Sequence, residues 1–201
     1  MLSVSHLTCQ RGERVLFQDL SFELPQSQWL QIAGANGAGK TSLLRILSGL
    51  SEPVAGSITW NGNPVRKDRE AFHADMLYLG HQGALKEELT PLENLTLSLG
   101  MEGFDVSETD AVQALHQFGL QGREHLPVRV LSAGQRRRVL LCRLLLRPAR
   151  LWILDEPYTA LDIHAVGLLS HLIETHLAGG GCAVLTSHQS MTLSPGLCVT
   201  L

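Results

Sequence analysis

Gly34-Ala35-Asn36-Gly37-Ala38-Gly39-Lys40-Thr41 is the stretch that decides the fold. It has the spacing G-x-x-x-x-G-K-[ST] of a phosphate-binding P-loop. Before it stands an apolar run that reads as a strand, Trp29-Leu30-Gln31-Ile32-Ala33; after it, Thr41 to Leu47 reads as a helix. Strand, loop and helix in that order are the context the motif requires. The glycines let the backbone wrap a phosphate with several N–H groups turned inward. The following helix presents the positive end of its dipole to the same anion. Lys40 is placed to reach β- and γ-phosphates, and Thr41 to offer its hydroxyl to Mg²⁺. A glycine-rich turn ahead of an ordinary helix is the competing reading; the lysine, the threonine and both flanks weigh against it.

A P-loop site needs a carboxylate to hold Mg²⁺ through its water shell. Leu151-Trp152-Ile153-Leu154-Asp155-Glu156 offers one, as an apolar strand ending in two acids. Asp155, at the strand end, fits the metal role. Glu156, one residue on, can polarise an attacking water. Adjacent acids at the end of a buried strand have few structural reasons to be there, because unpaired buried charge is costly.

The bulk composition sets limits. The 201 residues, 44% of them hydrophobic, suit one well-cored domain with a possible insertion. A net charge of −3 and a pI near 6.3 give no sign of a nucleic-acid-binding surface. No run approaches the roughly 18 apolar residues of a membrane span; the densest, Val139 to Leu146, is broken by Arg143. Met1 to His6 lacks the basic start and apolar core of a signal peptide, so a cytosolic location is expected. Cys9, Cys142, Cys182 and Cys198 form no C-x-x-C pair and are expected to be free, reduced and mostly buried.

Along the chain, Met1 to Thr8 and Val15 to Leu24 alternate as strands of a half-exposed antiparallel sheet. Ser57 to Trp60 followed by Asn61-Gly62 reads as a strand entering a hairpin. Asp75 to Gly80 is a further short strand. From Leu89 to about Gly122 the pattern is helical. Thr90-Pro91-Leu92-Glu93 is a capping-box start, and Ser107 opens a second helix. Asp162 to Leu177 reads as helix, stopped by Gly179-Gly180-Gly181, and Cys182 to Thr186 as a buried strand.

Leu131-Ser132-Ala133-Gly134-Gln135, taken with the P-loop, Asp155-Glu156, Gln82, Asp162 and His188, resembles the nucleotide-binding domain of an ABC transporter. The motifs come in that family's order over essentially the whole chain. The resemblance implies an α/β P-loop NTPase of ABC type: a mixed sheet core from residues 1–82 and 131–201, an antiparallel β subdomain, and a helical subdomain inserted at about 83–130. It implies that Gly34, Ala35, Asn36, Gly37, Ala38, Gly39, Lys40, Thr41 and Ser42 bind ATP. Ser132, Gly134 and Gln135 would face the γ-phosphate held by a second copy, in a head-to-tail homodimer. Thr41, Gln82 and Asp155 would hold Mg²⁺. Glu156, His188 and Gln82 would be catalytic, with His188 sensing the γ-phosphate and Asp162 signalling across the dimer. Ala133 stands where the family usually has glycine, and Arg11 where it usually has the aromatic ring that stacks on adenine. A guanidinium plane can stack on a base as well.

Within that family, the residues from Trp29 to Leu47, the signature and Asp155 to Asp162 look most like the ATP-binding subunits of bacterial haem exporters of cytochrome c maturation. The implied setting is peripheral, on the cytoplasmic side of the bacterial inner membrane, beneath integral membrane subunits. Membrane contact would come only through those partners, and no nucleic acid is expected. An exporter ATPase with another cargo, a soluble ABC ATPase acting on ribosomes or DNA, and an inactive nucleotide-gated scaffold are the alternatives. The ribosome or DNA forms usually carry two such domains or a long coiled coil; Lys40, Asp155, Glu156 and His188 together argue against a scaffold.

Other signals point to structure. Of the nine histidines, His164 and His171 are seven positions apart on one helix face, but no cysteine or acid completes a ligand set. Arg136-Arg137-Arg138 reads as a solvated helix face supported by acids, and Trp60 and Trp152 as core.

Overall fold

The long alternation at the start of the chain forms a hairpin. In the computed structural model, which describes residues 1–80, 85–187 and 193–201, β1 (Leu2–Arg11) and β2 (Arg14–Leu24) run antiparallel, from Leu2 opposite Leu24 to Arg11 opposite Arg14. On its other side β1 pairs antiparallel with β4 (Ala55–Trp60), which turns through Asn61-Gly62 into the short β5 (Asn63–Pro64). The resulting four-stranded sheet has the order β2-β1-β4-β5.

A second sheet is parallel throughout. Its order is β6 (Met76–Leu79), β7 (Leu151–Leu154), β8 (Cys182–Thr186), β3 (Trp29–Ala33) and β9 (Leu197–Thr200). The antiparallel sheet expected from sequence is thus present, and the core sheet expected to be mixed is parallel among the described residues. Every residue of β7 and β8 is buried, the pattern of strands covered on both faces. Helix α1 (Lys40–Leu47) buries Leu43, Leu44, Ile46 and Leu47, which join Leu30, Ile32, Ile153 and Val184 in one core. Each such side chain contributes about 1.5–3 kcal/mol relative to exposure.

The chain divides into two compact units. The first comprises Met1–His81, Ala149–Glu156 and Ile173–Leu201; the second comprises Gln82–Pro148 and Pro157–Leu172. Both sheets lie in the first. The second is helical. Its α3 (Pro91–Met101) starts on the capping box between Thr90 and Glu93, with Pro91 at its first position. Buried Asn94 ties the approach to that helix: its Oδ1 accepts from the Lys86 N–H at 2.8 Å and its Nδ2 donates to the Thr90 carbonyl at 2.9 Å. Ser107 caps α4 (Glu108–Gln117) through the Asp110 N–H. Near the C-terminal end of the block, buried Arg147 donates to Glu102 at 2.8 Å and lies over the Phe104 ring at 4.8 Å.

Several elements depart from the sequence reading. A short helix, α2 (Arg69–Asp75), capped by Asp68, has Phe72 as its buried residue, too little apolar pattern to announce a helix. Strand β9 is mostly exposed and shows no alternation. The helix that carries Arg136 to Arg138, α5 (Ala133–Leu141), ends before Cys142, and the rest of the apolar run forms a separate short helix, α6 (Arg143–Leu146). Cys9, Cys142 and Cys182 are buried and free, whereas Cys198 is exposed. Helix α7 (Ile163–Ala178) is the longest described. Among the described residues no helix is long and apolar enough to cross a membrane.

Trp60 and Trp152 are core residues. Trp60 donates its indole N–H to Asp75 at 2.7 Å, and Trp152 stacks on the His176 ring at 3.8 Å. The arginine triplet is solvated only in part, and two of its three members have the acidic partners expected. Arg136 straps back to the Leu131 and Arg129 carbonyls and pairs with Glu87, and Arg138 reaches Asp162. Arg137 is buried with its Nε directed at the Pro157 carbonyl, 3.5 Å away. It faces inward because it lies three and four positions before buried Leu140 and Leu141, on the same face of α5.

Candidate functional site

In the first unit, β3 delivers the chain into the loop of residues 34–39, and α1 begins at Lys40. The turn into the helix is made at Gly39, whose φ of 111° no β-carbon-bearing residue adopts without strain. A Cβ there would also meet Leu16 at 3.1 Å. The first turn of α1 carries no acid, so its free N–H groups and dipole stay available to an anion. Ala35, Asn36 and Gly37 are exposed, and Gly34, Ala38 and Ser42 are half-buried around them. The Lys40 ammonium donates to the Gly34 carbonyl at 2.8 Å and the Ala35 carbonyl at 3.2 Å, which holds it over the loop.

The two acids follow β7. Asp155 is 2% exposed. Its Oδ2 accepts from the Thr41 hydroxyl at 2.8 Å and its Oδ1 from the Thr186 hydroxyl at 2.7 Å. Its backbone N–H continues the ladder to the Leu79 carbonyl at 2.8 Å. Two of the three residues assigned to the metal from sequence, Thr41 and Asp155, are therefore in direct contact although 114 positions apart. A buried carboxylate beside a hydroxyl, both hard oxygen donors at the mouth of a phosphate loop, suits Mg²⁺. Glu156 sits half-buried at φ 49°, in the left-handed region, which costs a non-glycine residue about 1–2 kcal/mol. Its backbone N–H donates to the Thr186 hydroxyl at 2.8 Å.

Thr186 is the residue the sequence reading missed. It closes β8 as the one polar side chain after Cys182-Ala183-Val184-Leu185, and it is fully buried. That single hydroxyl at the end of an apolar strand is the signal that was available.

The signature residues lie in the second unit. Ser132 caps α5: its Oγ accepts from the Gln135 N–H at 3.2 Å, and the Gln135 side chain accepts from the Ser132 N–H at 2.9 Å. The capping box is thus present, and it leaves Ser132 exposed at the helix start with Ala133 beside it. Gly134 packs against the backbone of Ala160. Asp162 accepts from the Ala165 N–H at 2.9 Å through Oδ1 and from Arg138 at 2.5 Å through Oδ2. The Ala165 N–H, helped by Arg138, holds the Asp162 carboxyl below the usual range. Arg11 is exposed at the end of β1, opposite Arg14. Gln82 and His188 lie outside the described residues.

Comparison with known proteins follows the same lines. Residues 17–159 match the profile of the family described as ABC transporter. The chain is 50% identical over 190 residues to the "Cytochrome c biogenesis ATP-binding export protein CcmA" of Methylococcus capsulatus, covering 94% of this chain and 92% of that one. Among solved structures, a putative ABC transporter ATP-binding protein from Pyrococcus furiosus superposes with a TM-score of 0.85 at 22% identity, over 100% of this chain and 96% of that one. A bacterial ABC transporter cassette described as dimeric gives 0.81 at 23% identity, over 94% and 88%. At those identities the likeness is one of fold.

Proposed function

The chain belongs to the ABC transporter family as an ATP-binding ATPase subunit, and from that premise we propose that it powers an export step of cytochrome c biogenesis, with haem as the cargo. The observation that carries the catalytic part is the 2.8 Å contact between Thr41 of the P-loop and Asp155 at the end of β7. It joins the phosphate-binding and acidic halves of one site. The export part is supported by 50% identity to the relative of that name over 94% of this chain.

The residues divide the work as follows. Backbone N–H groups of residues 34–42 and the start of α1 cradle the phosphates of ATP, and Lys40 moves from its carbonyl partners to the β- and γ-phosphates. Thr41 and Asp155 hold Mg²⁺, which when bound neutralises charge on the phosphate oxygens. Glu156 accepts a hydrogen bond from water and takes its proton as the oxygen attacks the γ-phosphorus and ADP leaves. Gln82 and His188 complete this set around the γ-phosphate. Arg11 stacks on the adenine.

Ser132, Gly134 and Gln135 close on ATP held by a second copy of the chain, and Asp162 relays the state of one site to the other. The exposed serine at a helix start supports that role, because it leaves an anion-binding end open. Integral membrane subunits hold the dimer on the cytoplasmic side of the inner membrane and supply the pathway for the cargo.

Phosphate release by the purified protein, set beside Lys40→Ala, tests the ATPase. Turnover in the wild type and its loss in the variant, together with weakened nucleotide affinity, is the expected result. Co-purification of integral membrane proteins with the chain from solubilised membranes tests the exporter. A chain recovered with ribosomes or DNA instead would overturn it.

A further inference from the structure

We infer that Thr186 is a positioning residue that locks the metal-binding carboxylate and the catalytic base into one frame. The inference rests on the ATPase reading of the site above. Strand β8 lies between β7, which ends in the two acids, and β3, which feeds the P-loop; Thr186 is opposite Ile32, two residues before Gly34. Its hydroxyl stands where all three strands deliver chemistry.

The hydroxyl is fully buried and uses both of its capacities on the site. It donates to Asp155 Oδ1 at 2.7 Å and accepts from the Glu156 backbone N–H at 2.8 Å. With Oδ1 tied, the Asp155 carboxylate cannot rotate freely, and Oδ2 stays turned toward Thr41. With its N–H tied, the Glu156 peptide is held in the left-handed conformation it would otherwise leave. A strand position this apolar is filled equally well in shape by valine, whose γ-methyl replaces the hydroxyl. Threonine there is accounted for by the two hydrogen bonds, and both go to residues of the site. A carboxylate fixed before metal and nucleotide arrive pays no reorganisation cost during the reaction.

Thr186→Val removes the hydroxyl and keeps the volume; Thr186→Ser keeps the hydroxyl. Phosphate release is measured against ATP and against Mg²⁺, a fluorescent ATP analogue is titrated in EDTA, and each variant is melted. The valine variant is expected to lose kcat by tenfold or more and to need several-fold more Mg²⁺ for half-maximal turnover. Its affinity for the analogue without metal should stay within twofold of wild type, and serine should recover most of kcat. If Thr186→Val gives no cooperative melt, Thr186→Ala is measured in its place with the same expected loss. A folded valine or alanine variant with kcat and Mg²⁺ requirement within twofold of wild type would overturn the role. So would serine and valine variants that lose kcat equally. A wild type without turnover, or Lys40→Ala turning over like wild type, would overturn the ATPase reading and the positioning role with it.

Discussion

Gly134 lies so close to the carbonyl of Ala160 that a Cβ built on it would stand 2.5 Å from that oxygen, a distance real Cβ atoms do not show. The neighbouring Ala133 is exposed at the first position of α5. Of the two adjacent small residues in the signature, one is sterically required and the other is not. An alanine in place of the usual glycine therefore occurs at the position with room for it.

Gly134→Ala should force the backbone around Ala160 to shift and destabilise the protein by about 1–3 kcal/mol, the usual range for overpacking. Ala133→Gly should cost no more than about 1 kcal/mol, from the flexibility of glycine in a helix. Thermal melts of both rank the two positions; a Gly134→Ala melt equal to wild type would show that the backbone yields without effort.

Glu156→Gln should keep ATP binding and abolish turnover. The amide preserves shape and cannot take a proton from water. ATP with Mg²⁺ should then accumulate a dimer visible by size-exclusion chromatography. Undiminished phosphate release would remove Glu156 from the base role.

Ser132→Arg should inactivate the protein and leave it folded, at a cost near 1 kcal/mol for the lost cap. A bulky cation at the start of α5 would block approach to a γ-phosphate on a second copy. Mixing this variant with Lys40→Ala should restore part of the activity, since one seam of a head-to-tail dimer then carries neither defect. Full activity of Ser132→Arg alone would rule out a composite site.

Arg11→Ala should weaken ATP binding several-fold, and Arg11→Tyr should restore it. A guanidinium stacked on adenine at an exposed site is worth about 1 kcal/mol. Phosphate contacts still dominate, so GTP should bind nearly as well as ATP. Equal ATP affinities for the three proteins would make Arg11 a bystander.

The P-loop was readable because its meaning is local: eight consecutive residues and two flanks specify strand, loop and helix. Asp155 and Glu156 were readable for a similar reason, as acids closing an apolar strand whose burial is complete. What escaped depends on partners far away in sequence. Thr186 acquires its role only when β8 is inserted beside β7, which no spacing rule reveals. Arg137 looked like one of three surface cations until the packing of α5 turned it inward. Strand β9 owes its existence to the exposed edge of β3, and its own residues carry no alternation. The helix α2 has one buried apolar side chain, and tertiary packing rather than periodicity selects it.

The cysteines turn the fold into its own chemical reporter. Burial raises the thiols of Cys9 and Cys142 and pushes Cys182 up to about 11, so none of the three offers a reactive thiolate in the native protein. Cys198 alone is exposed among the four. A maleimide dye should attach there without mutagenesis, on the strand that hydrogen-bonds to β3 just before the P-loop. Mass spectrometry should find one adduct on the folded chain and four after denaturation, so the same reagent that marks nucleotide-dependent change also counts unfolded molecules.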